Sequence, residues 1–341
     1  MDMKSPRGFV SPSTFFRLFT HMQLMPILES GEETLVGGQA VMEGVMMRAP
    51  HSYCVAVRKA SGEIVTEEMQ LERMSEKYPI FRLPVFRGLG TLYQALQLGG
   101  RALRFSANAA MDNPELQKKA KVPAEPPKEM PGWAIAAPIV FSLLFFIFAY
   151  KFVPLYLVTK MAKVMPVLEG RIAFNAMDGV IRLVILLGLL YFLSRTKDIR
   201  RVFAYHGAEH KVVFNFEART PVTVENAQKF STFHPRCGTS FLFVVFVMAM
   251  PIYTVMPVDT FAAKLLIRIA LIPVISGLSY ELIRFAAKRQ GSFMAALTAP
   301  GLWMQRITTK PPADDQTAVA IHALDGAMAL EKAQGGELVI A

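Results

Sequence analysis

Two short clusters in one polar stretch carry the residue types from which a metal centre is made. His206, Glu209 and His210 read H-x-x-E-H, and His234 and Cys237 bound the run HPRC. On a helix turning about 100° per residue, two imidazoles four positions apart share a face, and the carboxylate falls in the same turn. Two neutral nitrogens then converge on one ion, with a carboxylate near enough to move a proton. H-x-x-E-H is the inverted-zincin spacing, although ordinary helices also contain it as a polar turn. His234 and Cys237 add a nitrogen and a sulfur, both acceptable to zinc. Four ligands together would make a closed site that staples the segment. A catalytic site would instead leave one position open, using His206, His210 and either His234 or Cys237. The spacing leaves both arrangements open.

Four further residues are candidates for this chemistry. Glu281, in SGLSYELIRF, is an ionisable group inside an apolar run, where an unpaired charge is costly and function is the default hypothesis. It is a distant carboxylate ligand candidate, or the partner of Arg284 or of an arginine in the polar stretch. Glu43 lies among glycines in GGQAVMEGVMMRAP and, with Arg48, would cover the site or form a structural pair. Arg236 suits a phosphate or carboxylate held in two hydrogen bonds, or lipid headgroups.

The elements that must position these residues are mostly apolar. Of 341 residues, 52% are hydrophobic and 19% charged, with a mean hydropathy of +0.33, so much of the surface must face something other than water. The net charge of +10 sits beside the apolar runs rather than in a basic domain, which favours lipid headgroups as partner and argues against nucleic acid. Two cysteines far apart, Cys54 and Cys237, give no disulfide framework and suit a reducing compartment. Residues 1–35 contain no apolar core followed by a small-residue cleavage site, so no cleaved signal peptide is expected.

The expected fold is a mainly α membrane protein with about four transmembrane helices, a small N-terminal β-containing unit and interfacial amphipathic helices. Within 36–112, YCVAVRK and IVTEEMQ flank the turn ASGE as a hairpin with one face covered. An amphipathic helix over 84–111 follows, suited to the membrane interface. Residues 113–132, rich in Pro and Lys, have the composition of a linker. Four runs in the 133–289 region, at about 133–158, 173–194, 239–258 and 263–283, are long enough to cross about 30 Å of hydrocarbon. Lys151, Asp178, Arg182, Arg268 and Glu281 interrupt or edge them. The histidine-rich loop 195–238 carries most of the connecting basic residues. The positive-inside tendency therefore puts it, with both termini, in the cytoplasm of an inner or plasma membrane protein. Within 290–341, an interfacial segment anchored by Trp303 ends at a Pro pair and leads into a helix over 313–334.

Five blocks carry a family resemblance: GGQAVMEGVMMRAP (37–50), AYHGAEHKVV (204–213), TVENAQKFSTFHPRCGTSFLF (223–243), SYELIRFAAK (279–288) and PGLWMQRITT (300–309). In this order they resemble the YqhQ family of bacterial membrane proteins, from about residue 35 to 330. The resemblance implies a metal-dependent enzyme with a cytoplasm-facing site built from His206, Glu209, His210, His234 and Cys237, and it assigns no substrate. The leading expectation is a hydrolase with zinc or another divalent transition metal, acting on a membrane-proximal substrate with Glu209 as general base. The alternative is a non-enzymatic scaffold or regulator holding a structural metal or none. A transporter would require a homo-oligomer, since four spans are few, and Gly-containing spans leave room for one.

Overall fold

The computed structural model describes residues 36–111, 132–234, 237–288 and 292–333. The segment 1–35, nearly all of the expected linker and Arg236 lie outside these residues. Four strands come first: β1 (Gly37–Val41), β2 (Gly44–Arg48), β3 (Ser52–Arg58) and β4 (Ile64–Gln70), paired antiparallel in the order β1-β2-β3-β4. After α1 (Met74–Lys77) and a 3-10 turn comes α2 (Phe86–Met111). The apolar part contains α3 (Gly132–Ile147), joined through a π turn (Phe148–Phe152) to α4 (Val153–Ala162), and then α5 (Arg171–Leu193). Next are α6 (Lys197–Glu217), α7 (Val224–Gln228), α8 (Gly238–Val255), α9 (Phe261–Ala270), α10 (Ile272–Lys288), α11 (Ser292–Thr308) and α12 (Asp314–Ala333).

The sheet is covered on both faces, not one. Side chains alternate across a strand, so β2 and β3 divide between two cores. Val45, Met47, Cys54 and Ala56 pack under α6 and α12, with Tyr205, Ala208, Val212, Val319, Ala323 and Ala327. Met46, Tyr53, Val55 and Val57 face α2 through Leu98, Ala102 and Ala109. This is why SYCVAVR reads as nearly continuous apolar sequence. β4, at one edge, is half-buried at Ile64, Val65 and Glu67 and exposed from Glu68 to Gln70. The close seat of α12 needs Gly326, where a Cβ would stand 2.6 Å from Cys54 Sγ.

The segment expected as loop 195–238 is helical for most of its length. α6 continues out of the apolar α5 after a short turn and turns one face to the sheet and the other to the chain returning from α7. Helix α2 is amphipathic as expected: Leu98 is buried on the sheet while Tyr93 and Leu96 are exposed.

Three helical segments, Val140–Ala162, Arg171–Leu193 and Gly238–Val255, are long and apolar enough to cross a membrane, which indicates membrane association. The fourth expected run is a pair of helices, Phe261–Ala270 and Ile272–Phe285, bent by 49°. Trp303 is exposed on α11, but that helix packs along α8 instead of lying free at an interface: Met304 and Gln305 are buried, and Gly301 meets Ser240.

Candidate metal centre

One stripe of α6 carries His206, His210, Phe214 and Glu217, at the spacing that places residues on one helix face. The return loop is bound across this stripe. Lys211 Nζ donates to the carbonyls of Gln228 and Phe230, each at 2.7 Å. Its own burial lowers its pKa. Further on, Gln305 of α11 clasps the backbone of His234, accepting from its N–H at 2.8 Å and donating to its carbonyl at 2.8 Å. These contacts bring His234 and Cys237, the latter at the N-cap of α8, over the α6 histidines.

His206, His210 and Cys237 come together with one ligand atom each, all within 4.8 Å of one another. His206 Nε2 is 3.2 Å from Cys237 Sγ, and the two imidazole centroids are 4.4 Å apart. A tetrahedral zinc with bonds of about 2.0–2.3 Å separates its ligand atoms by roughly 3.5 Å, so only small movements are needed.

The imidazoles are already oriented for this. His206 Nδ1 lies 2.9 Å from the Thr308 carbonyl, and His210 Nδ1 lies 2.5 Å from that of Thr232. A carbonyl only accepts, so both protons belong on Nδ1 and both Nε2 lone pairs point into the cluster. Backbone carbonyls holding the outer nitrogens are the usual support of metal-bound histidines. The approach of α6 to the segment after α11 depends on Gly207, where any Cβ would overlap the Lys310 carbonyl.

Glu209 is buried beside the cluster and sits under β1, where a Cβ on Gly38 would stand 2.6 Å from its Cγ. Its Oε2 is 3.5 Å from His210 Nε2. A carboxylate facing an imidazole lone pair is a repulsive pair of acceptors, which a proton or a metal ion between them relieves. The donor set and this juxtaposition both fit a soft or borderline divalent ion.

Two expected ligands are placed differently. His234 is buried next to His210, with ring centroids 5.6 Å apart, but its Nε2 stands 3.5 Å from Glu217 Oε2. Burial lowers its pKa, with the charge of Glu209 acting in the opposite direction. Glu281 does not join the cluster. Its carboxylate accepts from Arg87 Nε at 2.6 Å and from the Val85 N–H at 3.2 Å, and its second oxygen also pairs with Arg87. It thereby ties α10 to the start of α2, where Val85 has a left-handed φ of 69°. A β-branched residue holds that conformation only when its surroundings enforce it.

Glu43 and Arg48 do not pair either. Glu43, in the β1–β2 turn, receives two hydrogen bonds of 2.6 Å from Arg201, one turn ahead of His206, while Arg48 donates to Gln94. The positioning residues Thr232, Thr308, Gln305 and Glu217 carry no sequence signal of their own, because two act through backbone carbonyls. Of the glycines that the close approaches require, the sequence pointed only to those around Glu43, which include Gly38.

With this geometry in view, the family described as "Protein of unknown function (DUF1385)" matches residues 83–330. The chain belongs to DUF1385. "Uncharacterized protein YqhQ" of Bacillus subtilis (strain 168) is 35% identical over 297 residues, which cover 86% of this chain and 92% of that protein. The resemblance carried by the five sequence blocks therefore holds. No solved structure matches. The DUF1385 match takes in the whole histidine–cysteine centre and the Arg87–Glu281 pair, whereas the sheet that covers Glu209 lies ahead of it.

Proposed function

We propose that this DUF1385 member is a membrane-embedded, metal-dependent enzyme of the hydrolase type, with zinc or a similar divalent transition ion held by His206 Nε2, His210 Nε2 and Cys237 Sγ. The observation that carries the reading is the convergence of three ligand atoms whose imidazoles are pre-set by backbone carbonyls. A bound ion would supply Lewis-acid chemistry, polarising a carbonyl or phosphoryl oxygen and acidifying water. Three protein ligands with a position left over is the pattern of catalytic rather than structural zinc. His234, turned toward Glu217, favours that open arrangement.

Within this reading Glu209 takes a proton at Oε2. Burial under Gly38 keeps water from its far side and fixes its carboxylate next to His210. His206 is the partly exposed member of the centre and marks the side from which a substrate reaches it. The bent pair α9–α10 serves as a fourth span, so both ends of the chain lie on one side with the basic 195–229 segment, the cytoplasm by the positive-inside tendency. The substrate is then a membrane-proximal group on that face. The exposed apolar face of α2, with Tyr93 and Leu96, lies against the bilayer surface.

The test is metal content per chain in detergent-purified protein. Wild type should carry about one zinc. His206→Ala, His210→Ala and Cys237→Ser should lose it, and Glu209→Gln should keep it. His234→Ala should also keep it; its loss there would show a closed four-ligand site and a structural role. Metal-free, well-folded wild type prepared without chelators would overturn the reading in favour of a scaffold.

A further inference from the structure

The apolar bundle holds a second polar constellation, which the proposed reaction does not use. Lys151 in the π turn, Asp178 and Arg182 on α5 and Arg268 on α9 are all at most 6% exposed. Asp178 Oδ1 accepts from Arg268 at 2.7 Å, and its Oδ2 is 2.8 Å from Arg182 Nη2. Asn175 accepts from the other Arg268 nitrogen at 2.8 Å. Lys151 Nζ donates to the Tyr253 hydroxyl at 3.1 Å, and both guanidinium groups lie 5.1 Å from the Tyr253 ring centroid.

The charges do not balance. Three cations share one carboxylate and the face of one tyrosine. Arg182 Nε is buried without a hydrogen-bond partner among the described residues. Surplus cationic charge in an apolar bundle is costly unless an anion or a polar cavity meets it.

There is space for an anion. Tyr253 lines two cavities. One, of about 120 Å³, is bordered by Arg171, Asn175, Lys264 and Arg268, together with the acids Glu169 and Asp259. The other, of about 30 Å³, is bordered by Tyr150, Lys151 and Arg182. Asp259 stands 3.4 Å from Arg171, and Lys264 lies over the Phe174 ring. The larger cavity, which of the three buried cations only Arg268 borders, has room for several waters, and so for one tetrahedral oxyanion. Guanidinium groups present paired N–H donors that match such an oxyanion. The constellation is also remote from the histidines: Tyr253 lies about 24 Å beyond Cys237 along α8 at about 1.5 Å per residue.

We propose that Arg268, with Arg171, Lys264, Asn175 and Tyr253, forms a binding site for a phosphate-type anion in the larger cavity, reached from the end of the bundle opposite the metal centre. The same chemistry is offered by free phosphate and by the phosphate of a lipid headgroup. The proposal stands independently of the metal-dependent reading.

The experiment uses the full chain. Thermal unfolding is followed in detergent while inorganic phosphate replaces chloride at constant ionic strength, and in phosphatidylcholine nanodiscs with and without phosphatidylglycerol. Wild type should be stabilised by phosphate if the ligand is soluble, or by phosphatidylglycerol alone if it is a headgroup. Arg268→Gln and Lys264→Met should weaken the apparent affinity about tenfold or more, as expected for a lost charge-assisted contact. His206→Ala should keep the full response, which separates this site from the metal centre. Lys264→Met gives up its position over the Phe174 ring and so carries the test alone if Arg268→Gln fails to fold. No response of wild type to either probe, or undiminished responses in both variants, would overturn the proposal.

Discussion

The two ends of α8 carry opposite chemical deficits. At its N-terminus, Cys237 and two imidazole nitrogens present lone pairs with too few protons between them, beside the carboxylate of Glu209. Near its C-terminus, Tyr253 sits among N–H donors with too few acceptors. Surplus lone pairs ask for a cation, and surplus donors for an anion. The surroundings differ accordingly. The first site is braced by backbone carbonyls and a glutamine clasp, which fix direction without adding charge. The second is braced by one carboxylate, which fixes direction by neutralising part of the charge. Removing a brace should therefore cost metal affinity as well as stability at the first site, and stability at the second.

The largest effect expected from this contrast is at Asp178. Asp178→Asn leaves two buried guanidinium groups without their counter-charge and should destabilise the protein by about 3–5 kcal/mol. By comparison, Cys237→Ala measured in the presence of chelator should cost about 1 kcal/mol. Denaturation in detergent checks both, and similar losses for the two variants would break the comparison.

Next is Gln305→Ala, which leaves the buried N–H and carbonyl of His234 unpaired. It should cost about 2–3 kcal/mol. It should also weaken metal binding by roughly 10–100-fold, the usual penalty for loss of a supporting residue. A metal titration of folded protein separates the two effects. Unchanged affinity would show that the loop is held without the clasp.

A smaller, chemical readout distinguishes the two thiols. Burial, and then the charge of Glu68, pushes the Cys54 thiol up to about 12, so it stays protonated and inert between β3 and α12. Cys237 should react with a maleimide in chelator-treated protein and be protected when zinc is added, while Cys54 stays unmodified in both, as read by peptide mass spectrometry. Equal labelling with and without zinc would remove Cys237 from the ligand set.

Much of the candidate histidine–cysteine cluster was legible in the sequence, because ligand chemistry is confined to a few residue types and helical spacing puts His206 and His210 on one face. That Cys237 rather than His234 brings its atom to the two imidazoles was not legible, because it depends on how Gln305 and Lys211 hold a loop that has no periodic pattern. The anion end was visible only as separate interruptions at Lys151, Asp178, Arg182 and Arg268. Hydropathy shows that such residues are expensive in a span, not that three helices bring them to one tyrosine. The sheet showed the same limit. The β3–β4 hairpin followed from alternation and its turn, but the cover on its second face comes from α12, far away in the chain. Glu281 was assigned a role from its burial alone, and its partner proved to be Arg87 on a helix that sequence placed at the membrane surface.

The smallest expected effect lies away from α8, at a carboxylate held by hydrogen bonds. Glu331 of α12 reaches under the β2–β3 turn and accepts from the His51 N–H and the Ser52 hydroxyl, both at 2.9 Å, while its other oxygen lies 2.9 Å from His51 Nδ1. Burial pushes its pKa up, but the His51 and Ser52 hydrogen bonds outweigh that and leave the carboxyl below its ordinary value. A carboxyl depressed in the folded state adds stability that is complete above its unfolded pKa and is lost as pH falls through the folded value. Unfolding measured from neutral to acid pH should therefore show a loss in that window, and Glu331→Gln should flatten it. The variant should leave metal content and the phosphate response unchanged, since neither α8 site touches this pair. An acid loss of the same size in Glu331→Gln would move its origin to other carboxylates, with Asp178, which holds the two guanidinium groups, the first to examine.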